Sequence, residues 1–167
     1  MSEILDAVKF EPTPTQHFQL ASKGKRLVNY LIDTIVYYGI IIFFGFVGMA
    51  GLYASEQDAV VDAYVANEGT TLFDYLFVFI IMIGYYTVSE YYFKGKTIGK
   101  YLTKTRAVTL DGRRLDFGSA LKRSLARLIP FDGLSFLGVP GKGWHDSLPR
   151  TKVIDDLNWT DEEEYYV

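Results

Sequence analysis

An uncharged stretch in the first third of the chain decides the fold: residues 34–55 read TIVYYGIIIFFGFVGMAGLYAS. These 22 residues include no Asp, Glu, Lys or Arg. At about 1.5 Å per residue, a helix of this length extends about 33 Å, which is enough to cross the hydrocarbon core of a bilayer. We therefore predict a transmembrane helix over about residues 27–53, with Asp33 as its one internal charge.

A second apolar run follows at residues 71–93, with Asp74 near its start and Glu90 near its end. The residues between them, 75–89, carry no charge. A buried helix of a soluble domain seldom stays apolar on every face over so many turns, which disfavours a soluble core as the explanation. The two runs predict an all-α membrane protein built on a two-helix transmembrane hairpin.

The composition excludes several classes of protein. The chain of 167 residues has 17 Lys and Arg, 20 Asp and Glu, a net charge of −3 and no cysteine. A disulfide scaffold, a cysteine metal site and a thiol nucleophile are therefore excluded. No strongly basic, aromatic-interleaved arm indicates nucleic-acid binding. No nucleophile stands near a base, so we expect no enzyme, no catalytic residue, no metal and no cofactor.

The distribution of charges predicts the orientation in the membrane. The loop between the two runs carries acids and no basic residue, whereas residues 94–127 carry ten basic residues against two acids. The positive-inside rule then places both termini in the cytoplasm. We expect a cytoplasmic N-terminal segment at residues 1–20, a membrane domain at residues 21–154 and an acidic tail at residues 155–167.

The cytoplasmic half is predicted to contain a β-hairpin and an amphipathic helix. Residues 101–117 alternate loosely around Asp111-Gly112, a two-residue hairpin signal. Residues 117–129 place apolar side chains at spacings of three and four, with Lys122, Arg123 and Arg127 on another sector. Such a helix can lie at the lipid headgroups or against the two spans. Residues 134–139 are too few to cross a bilayer, so we predict an interfacial or re-entrant third segment.

Four motifs, in order along the chain, carry a resemblance to a known family. They are ASKGKRLVNYLID at residues 21–33, GKTIGK at 95–100, VTLDGRR at 108–114 followed by Arg123, and WHDSLPRTKVI at 144–154. Over about residues 20–155 the chain resembles the RDD family of bacterial membrane proteins. The resemblance implies a multi-pass protein of the inner membrane, with transport, including sodium/proton exchange, among the activities proposed for the family. Its name-giving residues correspond to Arg26, Asp33 and Asp146.

A set of charged residues forms the candidate site, here called the charged seam: Arg26, Asp33, Glu90, Arg123 and Asp146. Four further residues are predicted to support it: Asn29, Tyr30, Tyr37 and Arg127. Arg26 and Asp33 are seven positions apart, so they share one helix face about 10 Å apart along the axis. A carboxylate inside a membrane span is costly, and a partner is expected for Asp33.

Two hypotheses explain the charged seam. In the structural one, Asp33 pairs with Arg123 or Arg127, and Glu90 pairs with Arg26 or Lys94. In the other, Asp33 and Glu90 lie at one depth and share a proton or a monovalent cation. For Asp146 we expect a turn cap or a contact with the basic cluster, rather than a catalytic pair with His145.

These hypotheses lead to two candidate functions. The first is a transporter of a cation or small solute, which requires a homo-oligomer because two spans cannot enclose a path. The second is a non-transporting scaffold or regulatory subunit that binds anionic lipid or a protein partner through its basic half. Gly95-Lys96-Thr97 resembles the end of a phosphate-binding loop but lacks the upstream glycine, so we interpret its glycine as a sharp turn out of the membrane.

Overall fold

A computed structural model describes residues 18–55, 58–66, 72–138 and 142–159. Helix α1 covers Lys23–Ala54, and its first turn is capped by the Ser22 side chain, which accepts a hydrogen bond from the Lys25 amide at 3.3 Å. Among the described residues, α1 is the helix found long and apolar enough to cross a membrane. The helix predicted for residues 27–53 is therefore confirmed as a helix.

The next two helices are α2, Asp58–Ala66, and α3, Leu72–Tyr92, which lies in the second apolar run. After α3 the chain turns through Lys94 and Gly95, both with positive φ, of 51° and 84°. A side chain at Gly95 would overlap the backbone carbonyl of Ala107, so only glycine fits this turn. The sharp turn predicted here is confirmed.

A short helix and a two-stranded sheet follow, and they correct the predicted β-hairpin. Helix α4 covers Ile98–Thr103, and strand β1, Thr105–Thr109, pairs antiparallel with β2, Thr151–Asp155. The Asp-Gly turn is present, since Gly112 has a φ of 88°, but Arg113 and the residues after it form no strand. The hairpin prediction was wrong because β1 takes its partner from a segment more than 40 residues away.

A cluster of buried apolar side chains lies beside this sheet. It contains Ala21, Ala107, Leu115 and Val153. The backbone amide of Ala21 donates to the Val153 carbonyl at 3.0 Å, so the segment before α1 lies against β2. Side chains from four distant parts of the chain exclude water here, which favours the long-range strand pairing over a local hairpin.

The remaining elements surround α3. Helix α5 covers Phe117–Ala126 and packs on α3; the Asp116 side chain caps it by accepting from the Ser119 amide at 2.9 Å. Two single-turn helices follow, α6 at Asp132–Ser135 and α7 at Trp144–Ser147. The predicted third segment, residues 134–139, is described as far as residue 138. Residues 1–17, and the acidic tail from residue 160, lie outside the described residues.

In α1, the distribution of exposed side chains is the reverse of that in a soluble protein. The buried residues of α1 are Arg26, Asn29 and Asp33, whereas its apolar side chains, such as Ile42 at 71%, are exposed. Helix α5 buries Arg123 together with Ala120 and Ala126, whereas Leu125 is exposed. The amphipathic helix predicted for residues 117–129 is thus present and lies against α3, with its arginines directed inward.

Candidate functional site

Arg123 is the centre of a buried group of charges. Its Nε donates to Glu90 Oε2 at 2.6 Å, and its Nη1 donates to Asp146 Oδ1 at 2.6 Å and to the Thr151 hydroxyl. The Arg123 and Glu90 side chains are fully buried. One guanidinium on α5 therefore joins α3, α7 and β2.

Glu90 is bound by three cations. Besides Arg123, it accepts from Lys100 Nζ at 2.5 Å and from Arg127 Nη2 at 3.0 Å, both to Oε1. The Arg127 guanidinium also lies over the ring of Tyr86, 4.1 Å from its centroid. Both oxygens of the Glu90 carboxylate are thus occupied by charge-assisted hydrogen bonds, the strongest class available to a buried carboxylate.

Asp146 joins the same group from the other side. It accepts from Arg26 Nη1 at 2.6 Å through Oδ2, while Oδ1 accepts from Arg123. The expected contact of Asp146 with the basic cluster is confirmed. Because Arg26 lies at the start of α1, this pair fixes the first helix to α7. We call the connected set the charged core: Arg26, Glu90, Lys100, Arg123, Arg127 and Asp146.

The electrostatics of the charged core favour ionised carboxylates. Burial raises the pKa of Asp146, but His145, Arg123 and Arg26 more than offset this and hold the pKa below its ordinary value. Burial lowers the pKa of Lys100 to about 8, against the opposing effect of Glu90. Burial also disfavours the charged form of Arg123, yet Glu90 and Asp146 raise its pKa above the ordinary value.

Asp33 has different partners from those predicted. It accepts from the Tyr85 hydroxyl at 2.8 Å, the Thr97 hydroxyl at 2.6 Å and the Gly99 amide at 2.8 Å, all neutral donors. The predicted pairing with Arg123 or Arg127 was wrong, because those arginines are directed to Glu90. Of the two partners predicted for Glu90, Arg26 or Lys94, Arg26 binds Asp146 instead.

Asp33 accepts hydrogen bonds from the start of α4 and so joins that helix to α1. Its carboxylate lies at the first turn of this helix, where backbone amides have no partner within the helix. A side chain at Gly99 would lie 2.6 Å from the Asn29 carbonyl and 3.0 Å from Asp33 Oδ1. Glycine therefore allows α1 and α4 to approach closely enough for this bond.

The supporting residues of the charged seam have separate positions. In either orientation of its amide, Asn29 bonds with Thr103 at 2.5 Å and with Thr105 at 2.9 Å, joining α1 to the end of α4. Tyr30 packs at Gly133. Tyr37 contacts the Tyr86 ring at 6.4 Å between centroids.

A second buried pair, missed from the sequence, lies beside the charged core. His145 Nδ1 is 2.7 Å from Asp132 Oδ2, and the His145 amide donates to Asp132 Oδ1 at 2.8 Å. Burial, with Arg127, lowers the pKa of His145, although Asp146 and Asp132 oppose this. His145 Nε2 is 3.8 Å from Asp146 Oδ1, beyond hydrogen-bonding distance.

A small cavity lies between these groups, with a volume of about 30 Å³, close to that of one water molecule. Its wall includes eight polar residues: Arg26, Asn29, Tyr30, Asp33, Tyr86, Lys100, Arg127 and His145. The Arg127 Nε is buried and has no hydrogen-bond partner among the described residues. The cavity is therefore polar.

Four of the five residues of the charged seam lie together in the charged core: Arg26, Glu90, Arg123 and Asp146. The fifth, Asp33, forms a separate set of hydrogen bonds. The sequence did not identify Lys100, Asp132, His145, Thr97 or Tyr85. Lys100 and Thr97 stand in the motif at residues 95–100, so that motif was the available signal. The described residues contain no cluster of His, Cys, Asp and Glu suited to a metal ion.

In a comparison with protein families, the profile described as the RDD family matches residues 20–147. No curated protein and no solved structure matches the chain. The matched region contains all six residues of the charged core, including the arginine of α1 and the aspartate of α7.

Proposed function

Because the chain belongs to the RDD family, whose members are generally membrane proteins, we propose that it is a multi-pass protein of the bacterial inner membrane. In this proposal α1 and α3 both cross the bilayer, and both termini are cytoplasmic. Support comes from the apolar exposed surface of α1 and from the basic residues that follow α3.

The topology can be tested with single cysteines, because the chain has none of its own. Ser55 follows α1, and Ser119 lies on α5. In intact cells, a membrane-impermeant thiol reagent is expected to label Ser55→Cys and to leave Ser119→Cys unlabelled until the membrane is opened. Labelling of both from outside would contradict the proposed orientation.

For activity, we propose a non-transporting scaffold or regulatory subunit whose cytoplasmic half holds anionic lipid or a protein partner. The observation that carries this proposal is that the carboxylates are already occupied. Glu90 binds three cations, and Asp33 accepts from three neutral donors. A transported cation would have to displace these partners and leave several buried donors unpaired.

Exposed basic residues on the cytoplasmic half supply a surface for anionic lipid. Lys104, Arg113, Lys122 and Arg150 are exposed there. Near a membrane that contains anionic lipid, each such charge contributes about 1 kcal/mol of attraction. The charged core orients this surface, because it holds α5 and β2 to the membrane helices.

A second candidate is an oligomeric sodium/proton exchanger. It is favoured by the place of Asp33, whose carboxylate lies on the wall of the cavity. Two spans cannot enclose a path, so a transporter of this kind would need several copies around Asp33.

A flux assay separates the two functions. Purified protein is reconstituted into vesicles, and sodium- and pH-driven flux is compared between the wild type, Asp33→Asn and protein-free vesicles. The scaffold proposal expects all three to be equal. Wild-type flux that Asp33→Asn abolishes would overturn it in favour of exchange. Wild-type flux that Asp33→Asn retains would also overturn it, and would place the path elsewhere.

A further inference from the structure

Helix α4 carries its polar side chains inward and its apolar side chains outward. Thr97, which caps the helix, and Lys100 are buried. Ile98, Tyr101 and Leu102 are exposed, Leu102 at 64%. A helix on the surface of a soluble protein would place these two sets the other way round, because it buries its apolar side chains. The outward face of α4 therefore suits a hydrocarbon surrounding.

The position of α4 along α1 agrees with such a surrounding. The Gly99 amide donates to Asp33 Oδ1 at 2.8 Å, and the Thr103 hydroxyl bonds with the Asn29 amide group at 2.5 Å. Asp33 lies about 15 Å along α1 from the first residue of that helix, at about 1.5 Å per residue. After the turn that follows α3, the chain thus returns to the level of Asp33 and then runs back toward the start of α1.

The backbone at the start of α4 is bonded to side chains rather than left open. The amides of residues 98–100 donate in turn to the Tyr85 hydroxyl at 3.4 Å, to Asp33 Oδ1 at 2.8 Å and to the Thr97 hydroxyl at 3.4 Å. In water, the first amides of a helix can bond to solvent, but at membrane depth each needs a partner within the protein. Two of the three partners, Tyr85 and Asp33, belong to the apolar helices α3 and α1.

We propose that the exposed face of α4, formed by Ile98, Tyr101 and Leu102, contacts the lipid of the cytoplasmic leaflet, so that α4 is a re-entrant helix beside α1. The inference rests on the proposed topology, in which α1 crosses the bilayer. The side chains of α1 at the same level, Leu31 and Ile35, are also exposed and apolar. Lipid that surrounds α1 at this level therefore reaches α4 as well.

Charge at the end of α4 fits the same placement. Lys104 follows the helix and is exposed, at the end that lies toward the start of α1. Its long side chain can place the ammonium among the phosphates of the headgroups. In this arrangement α4 separates Asp33 and Lys100 from hydrocarbon. Ile98 then lies deeper than Leu102, by up to about 6 Å for four residues of helix.

Spin labels measure the depth of this face. The chain has no cysteine, so Ile98→Cys and Leu102→Cys each accept one nitroxide before reconstitution into vesicles of phosphatidylethanolamine and phosphatidylglycerol. Collisions of the nitroxide with oxygen, which dissolves in the bilayer, are compared with collisions with a water-soluble nickel chelate. Both labels are expected to be open to oxygen and shielded from nickel, with the label at position 98 deeper by up to about 6 Å.

Two control positions separate this inference from the topology on which it rests. Ile42→Cys lies in the exposed apolar part of α1 and should be shielded from nickel if α1 crosses the bilayer. Asp111→Cys lies at the exposed Asp-Gly turn and should be open to nickel. The labelled side chains are exposed, so the variants should unfold at the wild-type temperature. If Ile98→Cys or Leu102→Cys does not, Tyr101→Cys reports on the same face.

Each contrary result has a separate meaning. If the labels on α4 are as open to nickel as Asp111→Cys while Ile42→Cys is shielded, α4 lies in water and only this inference fails. If Ile42→Cys is itself open to nickel, the proposed topology fails with it. Labels on α4 that are shielded from both reagents would mean that protein covers the face. Spin–spin broadening that disappears on dilution with unlabelled protein would identify that cover as a second copy of the chain. A label at position 102 that lies deeper than the label at 98 would contradict re-entry.

Discussion

The two ends of α1 differ in which side chains are buried and which are exposed. In the first part of the helix, Arg26, Asn29 and Asp33 are buried and bonded to segments distant in sequence. In the later part, residues 34–54 carry apolar side chains that stay exposed, among them Phe46 at 74%. One continuous helix thus has a polar end that is hydrogen-bonded to other elements and an apolar end whose side chains are exposed.

The difference follows from the solvent around each part. In water, the open part of α1 would expose more apolar surface than a soluble protein normally tolerates. In a bilayer the same surface needs no cover, and association must come from polar bonds and close packing. The charged core and the close approach at Gly99 therefore provide the specific contacts, and in the proposed topology the apolar part of α1 anchors the chain in the membrane.

The largest effect is expected from breaking the charged core at Arg123. Arg123→Gln leaves Glu90 with two cations and Asp146 with one, at fully buried positions. We expect a loss of about 3 to 5 kcal/mol in the free energy of unfolding in detergent. Lys122→Gln, one position away and exposed, should stay within about 0.5 kcal/mol of the wild type. Similar losses of stability in both variants would mean that the buried arginine contributes no more than an exposed charge of the same helix.

The second effect concerns depth along α1. Lysine at Ile42, in the apolar part, should cost about 2.5 to 3.5 kcal/mol in apparent membrane insertion. Lysine at Val28, which is also exposed but lies near the start of the helix, should cost much less because its side chain can reach the headgroups. An insertion assay on residues 23–54 measures both. Equal costs would argue against the membrane placement of the later part.

The third effect compares two glycines. In Gly99→Ala the new methyl group would lie 2.6 Å from the Asn29 carbonyl, so we expect a loss of about 1 to 3 kcal/mol in stability. In Gly45→Ala it would meet nothing within 4 Å, and helix propensity alone predicts a neutral or slightly stabilising change. Chemical denaturation of the two variants checks this. A stable Gly99→Ala would mean that α1 and α4 do not approach closely.

The sequence predicted the positions of the helices better than the contacts between secondary-structure elements. The runs of uncharged residues predicted the positions of α1 and α3, and the spacing of apolar residues predicted α5. The partner of β1 was missed, because β2 lies more than 40 residues away and the local Asp-Gly turn indicated a nearer strand.

The charged seam was identified as a set, but its pairing was not. Periodicity places Arg123 on a polar sector of α5, yet it cannot decide whether that sector faces lipid headgroups or a polar interior. The partners of Asp33 are two hydroxyls and one backbone amide, which carry no charge pattern in sequence. Lys100 was missed as a partner of Glu90 because the predicted pairs joined the two apolar runs to α5 and did not include α4.

The smallest effect is a dependence on pH through His145. Burial and Arg127 lower the pKa of His145, so the unfolded chain takes up its proton first as the pH falls. Stability contributed by neutral His145 is present above pH 6.5 and is lost as the pH falls from there toward the folded pKa. The loss should begin as the pH falls below about 6.5, and it should flatten in His145→Gln. An unchanged slope in that variant would exclude His145 as its source.

The most direct test of the account is a double-mutant cycle between Glu90 and Arg123. Unfolding free energies are measured for the wild type, Glu90→Gln, Arg123→Gln and the double variant, each with and without sodium. The account predicts a favourable coupling within the range of about 0.5 to 3 kcal/mol found for contacting residues, with no dependence on sodium. A coupling near zero, together with wild-type stability that depends on sodium, would contradict it, because Glu90 would then serve an exchangeable cation rather than the buried arginine.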